Sequence, residues 1–162
     1  MPANVRGKMK TPDAIIVGAG PAGLACAASI NALGLEAMVL EQAAAVGSVW
    51  RRHYDRLHLH TDRRNSSLPG LMMPRSYPTY PSRAQFVDYL EGYAAHFQIQ
   101  PAFNTAVNAI RRNGSRWRVD TNHASVPARV VVIATGWAAF PYRPSWPGSD
   151  DFRGSCIHSS EY

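Results

Sequence analysis

The chain has 162 residues, 46% of them hydrophobic, and a formal charge of +6. That length supports one domain with one sizeable core, and two domains would be a squeeze. It holds no apolar run of about eighteen residues, and Arg6, Lys8 and Lys10 are followed by no signal-type apolar core, so neither a membrane span nor a secretion signal is read and a cytoplasmic protein is expected.

Cys26 and Cys156 stand far apart and form no C-x-x-C pair, which argues against a disulfide framework and a thiol redox motif. Any redox chemistry must then come from a bound cofactor. Arginines are spread from Arg6 to Arg153 with no long basic tract carrying interleaved aromatics, so no nucleic-acid partner is expected.

Residues 1–12, with Pro2 and Pro12 and no apolar periodicity, read as a flexible leader. The ordered domain is expected from Asp13. Ala14 to Val17 is a short apolar run suited to a strand buried on both faces, and Gly18-Ala19-Gly20-Pro21-Ala22-Gly23 follows at once. A helix rich in small residues then runs to Leu33 and stops at Gly34, and Glu36 to Leu40 forms a second strand ending at Glu41. The whole is a strand, helix, strand unit of the length of a right-handed parallel crossover.

Val46 to Pro81 is irregular and dense in Arg, His, Ser and Pro, predicting loops and short turns. Ser82 and Gln85 form a capping-box pair, and Phe86, Tyr89, Leu90, Tyr93 and Phe97 recur at helical spacing as a buried face. Alternating residues on either side of Asn113-Gly114 predict a small antiparallel meander turning at that pair. Val130 to Ala134 reads as another fully buried strand, ending at Thr135-Gly136. The proline-rich tail predicts no further strand or helix. The fold class is therefore α/β: a Rossmann-like domain over 13–140 with a parallel sheet and a β-meander, and a linker over 141–162.

The glycine loop carries the functional signal. In G-x-G-x-x-G the first glycine turns the chain out of the strand, the second admits a pyrophosphate, and the third lets helix and strand pack closely. Gly18, Gly20 and Gly23 fit these roles, and the helix beginning near Pro21 and Ala22 directs free N–H groups and the positive end of its dipole at the phosphates. Glu41 stands about twenty residues on, where a carboxylate accepts from ribose hydroxyls and repels a 2′-phosphate, which leaves FAD or NAD for this site. His53, His58 and His60 lack a completing carboxylate or cysteine, so no metal site is assigned. The arginines around them are expected to flank the pyrophosphate or face solvent.

The run Gly47-Ser48-Val49-Trp50, then Tyr54, Leu57, Leu59 and Thr61, resembles the segment after the second strand in flavin-containing monooxygenases. The likeness continues through Pro78, Pro81, Phe86, Tyr89 and Trp117 to Ala134-Thr135-Gly136, similar to the family's A-T-G motif. Phe152, Gly154, His158 and Tyr162 resemble its F-x-G-x-x-x-H-x-x-x-Y fingerprint. Residues 50–100 are most similar to bacterial relatives of YUCCA-type enzymes. Related Baeyer–Villiger enzymes have tryptophan where this chain has Tyr162, so the resemblance leans to N- and S-oxygenation.

The resemblance implies FAD and NADPH as cofactors and a small organic substrate oxygenated by O₂ through a flavin C4a-hydroperoxide. It implies Gly18, Gly20, Pro21, Ala22, Gly23, Glu41, Gln42, Ser48, Trp50, Leu59, Thr61, Ala134, Thr135 and Gly136 as cofactor-binding. No catalytic residue is assigned. Many amine-oxygenating members have Thr-Asn where this chain has Thr61-Asp62, and a carboxylate there cannot donate the same hydrogen bond unless protonated. Such proteins insert an NADPH domain with a second glycine loop. This chain has one such loop, so it is expected to be the N-terminal part of a monooxygenase, with an unfinished sheet edge inviting self-association. The rival expectation is a non-catalytic FAD- or nucleotide-binding module, or a subunit lacking its NADPH domain.

Overall fold

A computed structural model describes residues 11–137 and 141–161. Most of the expected leader, the 13–140 domain's last three residues and Tyr162 of the fingerprint lie outside the described residues. Strand β1 (Ala14–Val17) pairs in parallel with β2 (Ala37–Leu40) on one side and β6 (Val130–Ile133) on the other. Asp13 ties the three strand starts together: its carboxylate accepts from Glu36 N–H at 3.1 Å and from Arg129 at 3.2 Å.

Successive side chains of a strand point to opposite faces, so β1 feeds two cores. Ile16 enters one with Leu24, Ala27 and Ala28 of α1 (Pro21–Ala32) and Phe86, Tyr89, Leu90 and Tyr93 of α3 (Arg83–His96). Ile15 enters a smaller one with Leu40, Val119 and Ala128. Val119 belongs to β4 (Arg116–Thr121), the middle strand of an antiparallel meander with β3 (Val107–Asn113) and β5 (Ser125–Ala128). Helices, parallel sheet and meander thus form three layers. Each fully buried large aliphatic contributes roughly 1.5–3 kcal/mol, and Ile15, Ile16 and Leu24 are all at 0% exposure.

The capping box forms as its spacing predicts: Ser82 Oγ accepts from Gln85 N–H at 3.3 Å, and the Gln85 side chain accepts from Ser82 N–H at 2.9 Å. The hairpin is displaced by one residue. Asn113 pairs with Arg116, which leaves Gly114-Ser115 as the two-residue loop, and Gly114 takes the positive φ of 60° at its first position.

The strand predicted over Val130 to Ala134 is not fully buried. It ends at Ile133, with Val130 and Ile133 more than half exposed. The reason is position: β6 is an edge strand among the described residues, while β1 lies between two neighbours. The tail forms two short 3-10 turns, Ser149–Asp151 and Ser159–Glu161, where none was expected.

The irregular segment contains one helical turn, α2 (Ser48–Arg51), and is otherwise strapped onto α3. Tyr89 Oη accepts from Leu68 N–H and donates to Leu71 O, each at 2.6 Å, and Tyr93 Oη donates to Pro69 O at 2.6 Å. Burial raises both phenol pKa values, so they remain neutral donors. The arginines of this region are also committed: Arg63 donates to the carbonyls of Arg75 and Tyr77, and Arg51 pairs with Glu91 and donates to Val46 O. Through these bonds Arg51 and Arg63 close loops.

Tyr89→Phe leaves Leu68 N–H and Leu71 O without their partner. It should lower unfolding free energy by about 1–3 kcal/mol. Urea denaturation followed by circular dichroism checks this, and an unmoved midpoint would show that the strap contributes nothing.

Candidate functional site

The C-terminal ends of the parallel strands carry the predicted loop. Gly18 leaves β1 with φ of 110°, and a Cβ there would stand 2.5 Å from Ala134 O. A Cβ on Gly23 would stand 1.9 Å from Gly18 O, well inside any real contact, so α1 and β1 approach closely because position 23 has no side chain. Gly20 differs from both. Its φ of −84° is open to any residue, and a Cβ would meet nothing within 4 Å. The protein's own packing explains Gly18 and Gly23 but leaves Gly20 facing open space at the N-terminus of the twelve-residue α1. The first N–H groups of that helix have no intrahelical acceptor and lie at the positive end of its dipole.

Glu41, at the end of β2, is the buried charged residue of the described chain, at 6% exposure. Its Oε2 accepts from Ala19 N–H at 2.8 Å, and its Oε1 accepts from Ala43 N–H at 2.9 Å and from Ser48 Oγ at 3.3 Å. Gly47 N–H donates in turn to Ala19 O at 3.1 Å. Ala19, Glu41 and the Gly47-Ser48 pair therefore close a ring of hydrogen bonds around the loop. This role of Glu41 was missed in the sequence, because its partners lie 22, 7 and 2 residues away and form no motif.

Of the remaining candidates, Ala134 packs beside Gly18, its N–H donating to Val17 O at 2.9 Å, and Thr135 and Gly136 follow it in exposed positions. Pro21 and Ala22 open α1, and Gln42 is exposed beside Glu41. Three further candidates have partners within the protein. The Trp50 indole packs edge-on against Phe86, with centroids 4.5 Å apart, and Leu59 is buried in the same core. The Thr61 hydroxyl pairs with Ser66 Oγ at 2.6 Å, on a turn of its own.

Asp62 caps that turn, accepting from Arg64 N–H at 2.8 Å and Asn65 N–H at 3.1 Å. The Asn65 N–H first, then its side-chain amide, holds the Asp62 carboxyl below its usual pKa, so it is an acceptor at neutral pH and not a donor. In the tail, Phe152 covers Gly154: a Cβ on that glycine would stand 2.4 Å from the ring. His158 Nδ1 lies 2.9 Å from Ser160 Oγ.

The family model for pyridine nucleotide-disulphide oxidoreductase matches residues 15–162. The indole-3-pyruvate monooxygenase YUCCA1 of Oryza sativa subsp. japonica is 46% identical, over 99% of this chain and 41% of that protein. A flavin-containing monooxygenase from Stenotrophomonas maltophilia superposes with a TM-score of 0.85 at 31% identity, over 95% of this chain and 47% of that one. OTEMO, solved in complex with FAD and NADP, gives a TM-score of 0.73 at 28% identity, over 93% of this chain and 31% of that one. The chain spans about two fifths of the length of the curated relatives it matches.

Gly20 and Gly23 are separable by stability. Gly23→Ala should destabilise by more than about 3 kcal/mol or prevent folding, whereas Gly20→Ala should change stability by less than about 1 kcal/mol, of either sign. Denaturant midpoints of the two variants test this, and equal losses would contradict the different surroundings of the two positions.

Proposed function

Since the chain belongs to the pyridine nucleotide-disulphide oxidoreductase family, we propose that it is the FAD-binding, N-terminal part of an NADPH-dependent monooxygenase that inserts one oxygen atom of O₂ into a small organic substrate. Gly20 carries this reading. Nothing in the protein requires a glycine there, but a pyrophosphate approaching the backbone would. The residues present fit the ADP half of FAD: Ala22 and Gly23 offer helix N-terminal N–H groups to the phosphates, and the Glu41 carboxylate accepts from the adenosine ribose. Ala134, Thr135 and Gly136 border the same end of the sheet, and Ser48 and Gln42 adjoin Glu41.

The flavin supplies the redox and oxygen chemistry when bound. What these residues do is hold the nucleotide in one register and exclude water around it. Cys26 and Cys156 are both free, the first on α1 and the second in the tail, which favours the oxygenating branch of the family over dithiol chemistry. The name of the rice relative points to an aromatic 2-oxo acid as the substrate class. NADPH would bind mostly outside these residues. The domain division at 13–140 and 141–162 belongs to the same proposal, as does a cytoplasmic location; no helix among the described residues is long and apolar enough to cross a membrane.

Incubation with FAD and desalting should leave flavin absorbance bands on the protein. Saturation a hundredfold above Kd adds about 2.7 kcal/mol, a rise in Tm of roughly 5–10 °C for a domain of this size. A protein without flavin bands and with an unmoved Tm would overturn the reading. Gly20→Ala should lose the flavin while keeping the Tm of the FAD-free protein. The exposed β6 edge supports self-association as well: concentration-dependent sedimentation, abolished by Ile133→Lys, is the expected result, and a monomer at all concentrations would refute it.

A further inference from the structure

An ionised carboxylate offers about four acceptor positions, two on each oxygen. In Glu41 three are filled by the protein itself. Oε1 takes both Ala43 N–H and Ser48 Oγ, whereas Oε2 takes only Ala19 N–H. Resting on the nucleotide reading above, we propose that Ser48 is a positioning residue: by filling the second acceptor position of Oε1, it leaves Glu41 a single position, on Oε2, for one hydroxyl of a bound ribose.

The surrounding geometry makes Ser48 more than a chance neighbour. It opens α2 directly after Gly47, which turns with φ of 65° and donates its N–H to Ala19 O. A Cβ on Gly47 would stand 3.0 Å from the Leu90 side chain, so α3 packs closely against this turn. The Ser48 hydroxyl is thereby delivered to Oε1 by the same turn that grips the glycine loop. The carboxylate is held from both sides, with its plane set by Ala19 on one oxygen and by Ala43 and Ser48 on the other.

The consequence is an asymmetry between two chemically similar hydroxyls. A ribose presents a 2′ and a 3′ hydroxyl, and only one of them finds an open acceptor on Glu41. Removing the hydroxyl bonded to Oε2 loses a charge-assisted hydrogen bond, and removing the other loses little. Without the Ser48 hydroxyl, Oε1 gains an open position and the second hydroxyl gains a partner.

The test is calorimetric binding of ADP, 2′-deoxy-ADP and 3′-deoxy-ADP to the full chain, its Ser48→Ala variant and its Ser48→Thr variant. In the natural chain one deoxy analogue should bind at least about tenfold more weakly than ADP, and the other within about twofold of it. In Ser48→Ala both analogues should fall well below ADP, and Ser48→Thr should restore the one-sided pattern. Equal losses with both analogues in the natural chain would overturn the proposal. So would a Ser48→Ala variant that weakens all three nucleotides by one common factor, which is what a merely structural serine would give. A folded natural chain that binds no ADP would refute the nucleotide reading itself, and this proposal with it.

Discussion

The Glu41 carboxylate is the constraint on which the rest of the site depends. A buried charge is costly unless it is hydrogen-bonded, and here three donors from three chain segments occupy three of its acceptor positions. Those segments are the glycine loop, the start of the connection after β2, and the first residue of α2. One side chain thus fixes the relative placement of these three segments at the C-terminal end of the sheet. Removing it would leave the Ala19 and Ala43 N–H groups without acceptors.

The two cores explain why that end of the sheet is stiff enough to be useful. β1 lies between two parallel neighbours and between two packed layers, so Val17 and Gly18 cannot drift without disturbing Ile15 or Ile16. On the helical side, α3 carries the long irregular segment through hydroxyls on its own buried face. Tyr89 and Tyr93 fill the core with their rings and tie residues 68–71 with their oxygens. A segment with almost no secondary structure is fixed in this way by three hydrogen bonds from one helix.

Much of this was legible in the sequence where the determinants are local. The capping box of Ser82 and Gln85, the apolar run of β1 and the spacing of Gly18, Gly20 and Gly23 each specify their structure within a few residues. What escaped depends on distant neighbours. Val130 to Ile133 reads like any buried strand, because an apolar run does not say whether it has one neighbour or two. Trp50 packs edge-on against Phe86, a residue 36 positions on, a contact that its own run does not announce. Nor does the run of arginines say that Arg51 and Arg63 donate to the backbone carbonyls of Val46, Arg75 and Tyr77, which lie in the loops around them.

That Glu41 holds the loop through hydrogen bonds within the protein changes how the glycine motif is understood. A loop ordered only by its ligand would have to lose its freedom at the moment of binding, at roughly 1–2 kcal/mol for each residue fixed. Here Ala19 is restrained on both its N–H and its carbonyl by the protein, so that ordering is completed on folding. The motif therefore divides its labour. Gly18 and Gly23 allow the backbone to fold this tightly, Glu41 keeps it there, and Gly20 is the one glycine of the three that this packing does not require. A glycine that folding does not explain is, in such a setting, the sharpest mark of a ligand.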